Sequence, residues 1–251
     1  MSRVALVTGG GSGLGAATSR RMAEGGFSVA VADIRVEAAY SVCAGLAGSG
    51  HTPVLVDVTG EASVEAMFAQ VEERLGPVAV MALFAGGTVN TPSYRPRCID
   101  TTLDDWVRTE ALNARGTFLC LREYLRRRTV APVEDGRVVT VSSAAAELGG
   151  GPTGVAYSAA KGAIISLTKS AALEAARLGV TVNCIAPGAM DTPALHTVNS
   201  ERTVDAIAHR APAGRIGQPE DVAALVAFLL SKESGYITGA TIDINGGLRM
   251  A

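Results

Sequence analysis

The amino-acid sequence predicts an α/β fold with one doubly wound parallel sheet of about seven strands and helices on both faces. Apolar segments of strand composition alternate with amphipathic helical segments along all 251 residues, and such alternation implies βαβ units with right-handed crossovers. A (β/α)₈ barrel of this length is the competing architecture. A glycine-rich loop directly after the first strand favours the open sheet. No linker or repeat interrupts the pattern, so residues 1–251 are expected to form a single domain.

Period and composition predict the strands and helices in order. The expected strands are Val4–Thr8, Ser28–Asp33, Thr52–Asp57, Val78–Ala85, Gly136–Ser142, Val180–Ile185 and Ala240–Ile244. The expected helices are Gly13–Gly25, Arg35–Leu46, Glu61–Leu75, Leu103–Arg128, Ala156–Leu178 and Pro219–Leu230. Two segments, Gly86–Thr102 and Met190–Gly214, have no regular pattern, and in an open sheet both would lie beyond the carboxyl ends of strands, where ligands bind.

The first strand leads directly into a glycine-rich turn, Gly9–Gly15, which opens the first helix. This arrangement makes an anion site, because glycines let the backbone approach a pyrophosphate and the first helical N–H groups face it. The second strand ends at Asp33, which lies 18 residues beyond Gly15. A carboxylate at this place would accept hydrogen bonds from the adenosine ribose of a dinucleotide.

Tyr157 and Lys161 are four residues apart in a predicted helix, so they share one face, a turn apart. An ammonium close to a phenol favours the phenolate and lowers a pKa that is otherwise near 10. The spacing therefore predicts a tyrosine that acts as an acid and base near neutral pH. Ser143 lies fourteen residues before Tyr157, at the end of a predicted strand.

Composition and charge exclude several classes of function. Hydrophobic residues make up 48% of the chain and charged residues 18%, which is typical of an ordered globular protein. A net charge of −2 and a pI of about 6.0 give no electrostatic reason to expect a nucleic acid or a membrane as partner. The longest apolar run, Val78–Ala85, is too short to cross a bilayer, and a strand beginning at Val4 leaves no room for a signal peptide. Four scattered cysteines and two histidines, His196 and His209, lack metal spacing, so we expect a cytoplasmic protein with free thiols and no metal.

Taken in order, these motifs resemble the short-chain dehydrogenase/reductase family through nearly the whole chain. The resemblance rests on the glycine loop, on Asn113, on Ser143 with Tyr157-x-x-x-Lys161, on the segments Asn183–Gly188 and Thr192-Pro193, and on the tail Arg215–Gly247. It implies a Rossmann fold whose one domain contains both the cofactor and the substrate sites. The family usually carries Asn-Asn-Ala-Gly where this chain has Leu83-Phe84-Ala85-Gly86, and we expect Leu83 and Phe84 to be packed as apolar residues instead.

The resemblance implies a catalytic role for four residues. Tyr157 would be the general acid and base, and Lys161 would lower the pKa of Tyr157 and bind the nicotinamide ribose. Ser143, the second serine of the pair Ser142-Ser143, would orient the substrate oxygen, and Asn113 would hold a water that connects Lys161 to solvent. The residues implied to bind the cofactor are Gly9, Ser12, Gly13, Leu14, Gly15, Asp33, Ile34, Asp57, Val58, Ala85, Gly86, Tyr157, Lys161, Pro187, Gly188 and Thr192.

The expected cofactor is NAD, because Asp33 suits a ribose diol and would repel the extra phosphate of NADP. Arg35 could partly compensate, but we expect it to be a solvated arginine of the next helix. The expected substrate is a mid-sized ketone or secondary alcohol, with or without an anionic group, beside Ser143, Leu148 and Met190. Further candidates in the two irregular segments are Leu195, Tyr94, Arg95, Arg97 and Arg210.

Two other functions remain open at this stage. A 3-oxoacyl-thioester reductase is the alternative enzyme, although Asp33 disfavours it because those enzymes usually use NADPH. A nucleotide-sensing protein without activity is the alternative outside the enzymes. Small residues in Ala156–Leu178 and an apolar C-terminal segment, Ile237–Leu248, match surfaces through which the family forms tetramers, so we expect a D₂ homotetramer or otherwise a C₂ dimer.

Overall fold

The computed structural model describes residues 2–89, 97–149, 153–198 and 201–250. The predicted ligand-side residues Tyr94 and Arg95 lie outside these ranges. Within them no helix is long and apolar enough to cross a membrane.

A sheet of seven strands, all paired in parallel, forms the centre of the fold, with the order β3-β2-β1-β4-β5-β6-β7. The strands are Val4–Thr8 (β1), Ser28–Asp33 (β2), Thr52–Leu55 (β3), Val78–Leu83 (β4), Arg137–Val141 (β5), Thr181–Pro187 (β6) and Thr241–Ile244 (β7). The direction of strand addition reverses between β1 and β4. In such sheets the crevice at this reversal, beyond the carboxyl ends of the strands, is where ligands bind.

Ten α-helices are found in the described ranges. They are Gly13–Glu24 (α1), Val36–Ala44 (α2), Glu61–Leu75 (α3), Leu103–Glu110 (α4), Gly116–Val130 (α5), Ala145–Leu148 (α6), Val155–Ala175 (α7), Pro193–Val198 (α8), Glu201–Arg210 (α9) and Pro219–Leu229 (α10). A π-helical turn, Ala111–Arg115, joins α4 to α5. Short 3₁₀ turns occur at Cys98–Asp100 and Ala176–Leu178.

Among the described residues, two hydrophobic cores, one on each face of the sheet, hold the layers together. Successive side chains of a strand point to opposite faces, so Leu6 of β1 packs with α3, α5 and α7, whereas Val7 packs with α1, α2 and α10. Both side chains are fully buried, and each contributes about 1.5–3 kcal/mol by leaving water. The doubly wound sheet with helices on both faces is thus confirmed.

Most predicted strands and helices are present, with differences at their ends. β4 ends at Leu83 because its pairing with β1 ends where β1 does, at Thr8. β3 likewise stops at Leu55, opposite Asp33, the last residue of β2. The predicted helical stretch Leu103–Arg128 is present, and a π-helical turn divides it into α4 and α5.

The prediction that Met190–Gly214 is irregular was wrong, because α8 and α9 occupy much of this segment. Both helices are short and carry many polar residues, so their apolar period is weak. In α9 the apolar side chains Val204, Ile207 and Ala208 have helical spacing. That spacing could have predicted α9 from the sequence.

Leu83 and Phe84 take the place of the asparagine pair that the family usually carries. Leu83 is buried, and Phe84 packs against the core between the sheet and α1. Their backbone is satisfied by β1, because the N–H of Phe84 donates to the Thr8 carbonyl at 3.0 Å and the N–H of Ala85 donates to Thr8 Oγ1 at 3.4 Å. The connection between the two central strands therefore does not need the asparagine side chains.

Candidate active site

A cavity of about 830 Å³ opens at the carboxyl ends of the strands, and its size is typical of a ligand pocket. It is lined by almost all the residues implied to bind cofactor or substrate. These are Gly9, Ser12, Gly13, Leu14, Gly15, Asp33, Ile34, Asp57, Val58, Ala85, Gly86, Ser143, Leu148, Tyr157, Lys161, Pro187, Gly188, Met190 and Thr192. Asn113 lies behind the wall of the cavity, fully buried.

The glycine loop lines the cavity with backbone atoms that no side chain covers. Gly9 has a φ of +64°, and a Cβ there would lie 2.7 Å from the backbone nitrogen of Ala85. A Cβ at Gly15 would overlap the Gly9 carbonyl. α1 begins at Gly13, and its first N–H groups have no partner within the helix, so this end of the cavity suits an anionic group such as a pyrophosphate.

Asp33 lies at the end of β2 with little exposed surface, and its carboxylate is held by two backbone groups. The N–H of Gly11 donates to Oδ2 at 3.0 Å, and the N–H of Arg35 donates to Oδ1 at 2.9 Å. The Arg35 side chain is exposed, as expected, but it is not free of contacts. Its Nη2 donates to Ser12 Oγ at 3.2 Å, and its Nε lies 3.9 Å from Asp33 Oδ1. A negative and a positive group therefore stand side by side at this end of the cavity.

The remaining residues implied to bind cofactor come from loops after β3, β4 and β6. Asp57 uses its carboxylate locally, because Oδ1 accepts from the N–H and the hydroxyl of Thr59 at 2.9 and 2.7 Å. Gly188 allows close packing, since a Cβ there would lie 2.9 Å from Asn245. The methyl group of Thr192 would lie 3.4 Å from a Cβ at Gly13, so the loop after β6 meets the glycine loop across the cavity.

Two neighbouring serines follow β5, and they have different surroundings. Ser142 is buried, and its hydroxyl donates to the Lys161 carbonyl at 2.8 Å, which ties β5 to α7. The hydroxyl of Ser143 instead accepts the N–H of Ala145 at 3.2 Å, and it lies close enough to Tyr157 to lower the pKa of the phenol. Ser143 is thus the serine whose oxygen lies beside the tyrosine.

Lys161 is buried below Tyr157, one helical turn further along α7. Its Nζ donates to the Val141 carbonyl at 2.8 Å and lies 5.6 Å from the centre of the Tyr157 ring. Burial lowers the pKa of Lys161 to about 8, because a charged ammonium loses its water there.

The pKa of Tyr157 shifts in the opposite direction from the sequence-based expectation. The side chain is partly exposed to the cavity, yet the dense protein around it makes burial the largest effect, and burial raises its pKa. The nearby Ser143 hydroxyl lowers the pKa of Tyr157 by a smaller amount. The prediction that the pKa of Tyr157 lies below 10 was therefore wrong for the protein alone. The ammonium lies over the ring and donates to a carbonyl, not to the phenol oxygen.

Asn113 lies in the π-helical turn, a type of distortion that often occurs at functional sites. Its amide nitrogen donates to the carbonyls of Gly87 and Thr109, both at 2.8 Å, and its oxygen accepts the N–H of Gly87 at 3.0 Å. Both donors are used, so only the oxygen has capacity for a water. A Cβ on Gly86 would lie 2.8 Å from this oxygen and 3.3 Å from Lys161 Nζ, which places Asn113 and Lys161 on two sides of one glycine.

The remaining walls of the cavity come from α6, α8, α9 and the C-terminal segment. Leu148 is exposed and lines the cavity, whereas Met190 lines it with a side chain that is mostly buried beside Gly217. Arg97 does not line the cavity, and its side chain forms an ion pair with Asp100 at 2.6 Å. The lining residues on this side also include Thr88, Thr153, Leu195, Ile207, Arg210 and Leu248.

Sequence reasoning missed Thr88, Thr153, Ile207 and Leu248. The helical spacing of Ile207 and Arg210 in α9 could have indicated that the two share a face. Nothing local in the sequence indicates that Leu248, close to the C-terminus, returns to the cavity.

The two histidines and the cysteines have ordinary surroundings. His196 pairs with Asp191 at 2.6 Å, and His209 contacts the carbonyl of its own helix residue Asp205 at 2.7 Å. Both histidines are exposed. No group of three or more potential metal ligands occurs in the described part of the chain. All four cysteines are free thiols, and burial raises the pKa of Cys120 to about 12.

Known proteins that are similar to this chain match it over nearly its whole length. A family model described as enoyl-(acyl carrier protein) reductase matches residues 9–249. A short-chain dehydrogenase/reductase of Armillaria gallica is 38% identical, with 98% of this chain and 95% of that protein covered. A (3R)-3-hydroxyacyl-CoA dehydrogenase of Canis lupus familiaris is 36% identical, with 99% and 97% covered. A crystal structure of an actinorhodin polyketide ketoreductase variant with NADPH superposes with a TM-score of 0.90 at 31% identity, covering 98% of this chain and 97% of that one.

Proposed function

The chain belongs to the short-chain dehydrogenase/reductase family, and on that premise we propose that it is an NAD-dependent dehydrogenase of secondary alcohols and a reductase of the matching ketones. Its membership makes it an oxidoreductase of hydroxyl or keto substrates with a nicotinamide cofactor. The observation that carries the finer proposal is the contact of Tyr157 with Ser143 directly above the buried Lys161, in the wall of the cavity.

The glycine loop and the N-terminus of α1 would hold the pyrophosphate, and Asp33 would hold the adenosine ribose. A nicotinamide, when bound, accepts or donates the hydride and in its oxidised form adds a positive charge near the tyrosine. The protein's part is to manage the proton and to orient the substrate oxygen. Tyr157 takes that proton in alcohol oxidation and returns it in ketone reduction, and the Ser143 hydroxyl donates a hydrogen bond to the same oxygen.

Lys161 prepares Tyr157 for this role through its charge. With a pKa of about 8, Lys161 is mostly protonated at neutral pH. Its ammonium favours the phenolate, which burial alone disfavours. Because the two groups interact, the proton is lost with an apparent pKa that belongs to the pair. Asn113 holds the Gly86–Gly87 backbone against this pair through its hydrogen bonds with Gly87.

NAD is the proposed cofactor because the Asp33 carboxylate, in its proposed role at the adenosine ribose, would repel the extra phosphate of NADP. Its two backbone hydrogen bonds fix the negative charge at this end of the cavity. The positive charge of Arg35 acts in the opposite direction, because a guanidinium attracts a phosphate. Its side chain is exposed, however, and its Nε lies 3.9 Å from Asp33 Oδ1. We propose that the fixed charge of Asp33 dominates.

A turnover assay with NAD and a panel of secondary alcohols tests the proposed function, with Tyr157→Phe as the decisive variant. The phenyl ring keeps the packing and removes only the hydroxyl, so turnover should fall at least ~100-fold while NADH affinity stays almost unchanged. Tyr40→Phe is the matched control, because Tyr40 is exposed on α2 and does not line the cavity. Turnover above about a tenth of the wild-type rate in Tyr157→Phe would show that the assignment is wrong.

A 3-oxoacyl-thioester reductase is the second candidate. It is favoured by the relative named (3R)-3-hydroxyacyl-CoA dehydrogenase and by the likeness to a ketoreductase structure with NADPH. The same assay distinguishes it, because this candidate predicts higher kcat/KM for 3-oxoacyl thioesters than for simple ketones.

We further propose that the chain forms a homotetramer of D₂ symmetry, or otherwise a C₂ dimer. Large apolar side chains are exposed on its helices, among them Trp106, Val107, Phe118 and Leu173. Exposed apolar patches of this kind mark association surfaces. Light scattering at micromolar concentration should give the mass of an oligomer, and a monomer mass with full activity would contradict the proposal.

A further inference from the structure

One charged lining residue of the cavity has no role in the proposed mechanism. Asp33 is the last residue of β2, and Arg35 and Asp57 lie in the loops after β2 and β3, at the end of the cavity assigned to the cofactor. Lys161 acts on the tyrosine. The fifth is Arg210, the last residue of α9. Ile207 lines the same cavity and precedes Arg210 by three residues, so α9 turns this face towards the ligand.

The guanidinium of Arg210 is exposed and has no ion pair or hydrogen bond with any residue in the ranges that the structure describes. Its neighbour Arg215, by contrast, contacts both carboxylate oxygens of Asp221 at 2.7 and 3.2 Å. An unpaired guanidinium in the wall of a cavity is a ready site for a carboxylate, because its planar group can donate two parallel hydrogen bonds.

Apolar walls accompany this cation. Leu148 and Leu248 both line the cavity, and the residues next to them in the sequence are joined. Arg249 Nε lies 2.7 Å from Glu147 Oε2, and Arg249 Nη1 lies 2.6 Å from Asp243 Oδ2. The C-terminal segment is thereby fastened to α6 and to β7, so the two leucines are held as fixed walls.

We propose that Arg210 determines substrate specificity by binding the carboxylate of a keto acid, or of the corresponding hydroxy acid. The aliphatic body of the acid lies against Leu148 and Leu248, and its carbonyl lies at Tyr157. This rests on the proposed function, which it deepens by naming the substrate class. In the reduction the keto carbon gains the hydride of NADH and the keto oxygen gains the proton of Tyr157, while the carboxylate is unchanged.

Keto acids of constant length with the keto group at different positions test this directly. The probes are 4-, 5- and 6-oxoheptanoate and their methyl esters, reduced with NADH by wild type, Arg210→Gln and Arg210→Lys. Arg177→Gln is the matched control, because it removes the same charge from an exposed arginine that does not line the cavity. Calorimetry measures the binding of each acid and ester to the enzyme–NADH complex and of NADH to each variant.

We expect at least one acid to exceed its ester in kcat/KM and in affinity by roughly tenfold to a hundredfold, since hydrogen bonds to charged groups are of this strength. Arg210→Gln should abolish this preference, Arg210→Lys should keep part of it, and Arg177→Gln should keep all of it. Ester turnover and NADH affinity should not change.

Three results would overturn the inference. They are equal use of acids and esters by wild type, an acid preference that survives in Arg210→Gln, and a loss of NADH affinity in that variant as large as the loss of acid affinity. Failure of the proposed function is distinct. Binding of acids that depends on Arg210, without turnover of any ketone, would contradict the reaction and support the carboxylate site. Turnover of ketones without a preference for acids would support the proposed reaction and contradict the carboxylate site.

Discussion

Replacing Lys161 with methionine should make the cofactor-free protein more stable at neutral pH while abolishing its activity. Burial lowers the pKa of Lys161 from 10.5 to about 8. Each unit of such a shift corresponds to about 1.36 kcal/mol, so holding the ammonium in the folded protein at pH 7 costs about 3 kcal/mol. Methionine fills a similar volume without a charge. Its loss of the hydrogen bond to the Val141 carbonyl costs about 1 kcal/mol, which leaves a net gain of about 2 kcal/mol.

The pH dependence of this gain has a definite sign. Because the folded-state pKa lies below the unfolded-state pKa, the unfolded wild-type chain binds more protons between pH 8 and 10.5. The contribution of Lys161 to the free energy of unfolding of the wild type therefore rises between pH 8 and 10.5, because the buried lysine becomes neutral. The advantage of Lys161→Met should shrink over the same window and reverse near its upper end.

Urea denaturation of both proteins without cofactor, at pH 7 and at pH 10, measures the effect. Lys169→Met is the control, because Lys169 is exposed two turns further along α7 and its replacement should change stability little at either pH. Taking the difference between variant and wild type removes the contribution of every other titrating group. A variant that is less stable than wild type at pH 7, or a difference that does not vary with pH, would refute the reasoning.

Two further predictions concern the ends of the cavity. Asp33→Asn removes the charge but keeps an oxygen for the N–H of Gly11 or Arg35, so the ratio of kcat/KM for NAD to that for NADP should fall from well over tenfold to near unity. An unchanged ratio would exclude Asp33 as its source. Glu147→Gln breaks the ion pair with Arg249, worth about 1 kcal/mol, so KM for the ketone should rise about fivefold with NADH affinity unchanged. Equal KM values in steady-state kinetics would show that this pair does not hold the cavity wall.

The parts of the site that depend on local spacing could be predicted from the sequence. The glycine loop between β1 and α1, the acid at the end of β2 and the four-residue spacing of Tyr157 and Lys161 each follow from short-range rules. The structure brings these residues to one cavity, as the carboxyl ends of parallel strands require.

The direction of the Tyr157 pKa shift could not be predicted in the same way. The spacing of Tyr157 and Lys161 gives their separation along the helix, but it does not give the burial of either group. Packing of α7 against β5 and β6 removes water from both side chains, and this loss of water is the largest influence on the pKa of each.

The residues on the substrate side of the cavity could not be predicted from local sequence patterns either. Leu248 reaches the wall because Arg249 contacts Glu147, about a hundred residues earlier in the chain. The strand ends likewise depend on their partners, as when β4 stops where β1 does. Such contacts join distant parts of the sequence and leave no periodic signal.

The most direct test of the central claim, hydride transfer between a secondary alcohol and NAD at Tyr157, uses an alcohol that carries deuterium on its carbinol carbon. The product NADH is isolated and its deuterium content at the nicotinamide ring is measured by mass spectrometry and NMR. We predict one deuterium per NADH formed by wild type, with no exchange into solvent, and no labelled NADH above about a hundredth of that rate in Tyr157→Phe. NADH that lacks the label, or labelled NADH formed equally fast by the variant, would contradict the proposed function.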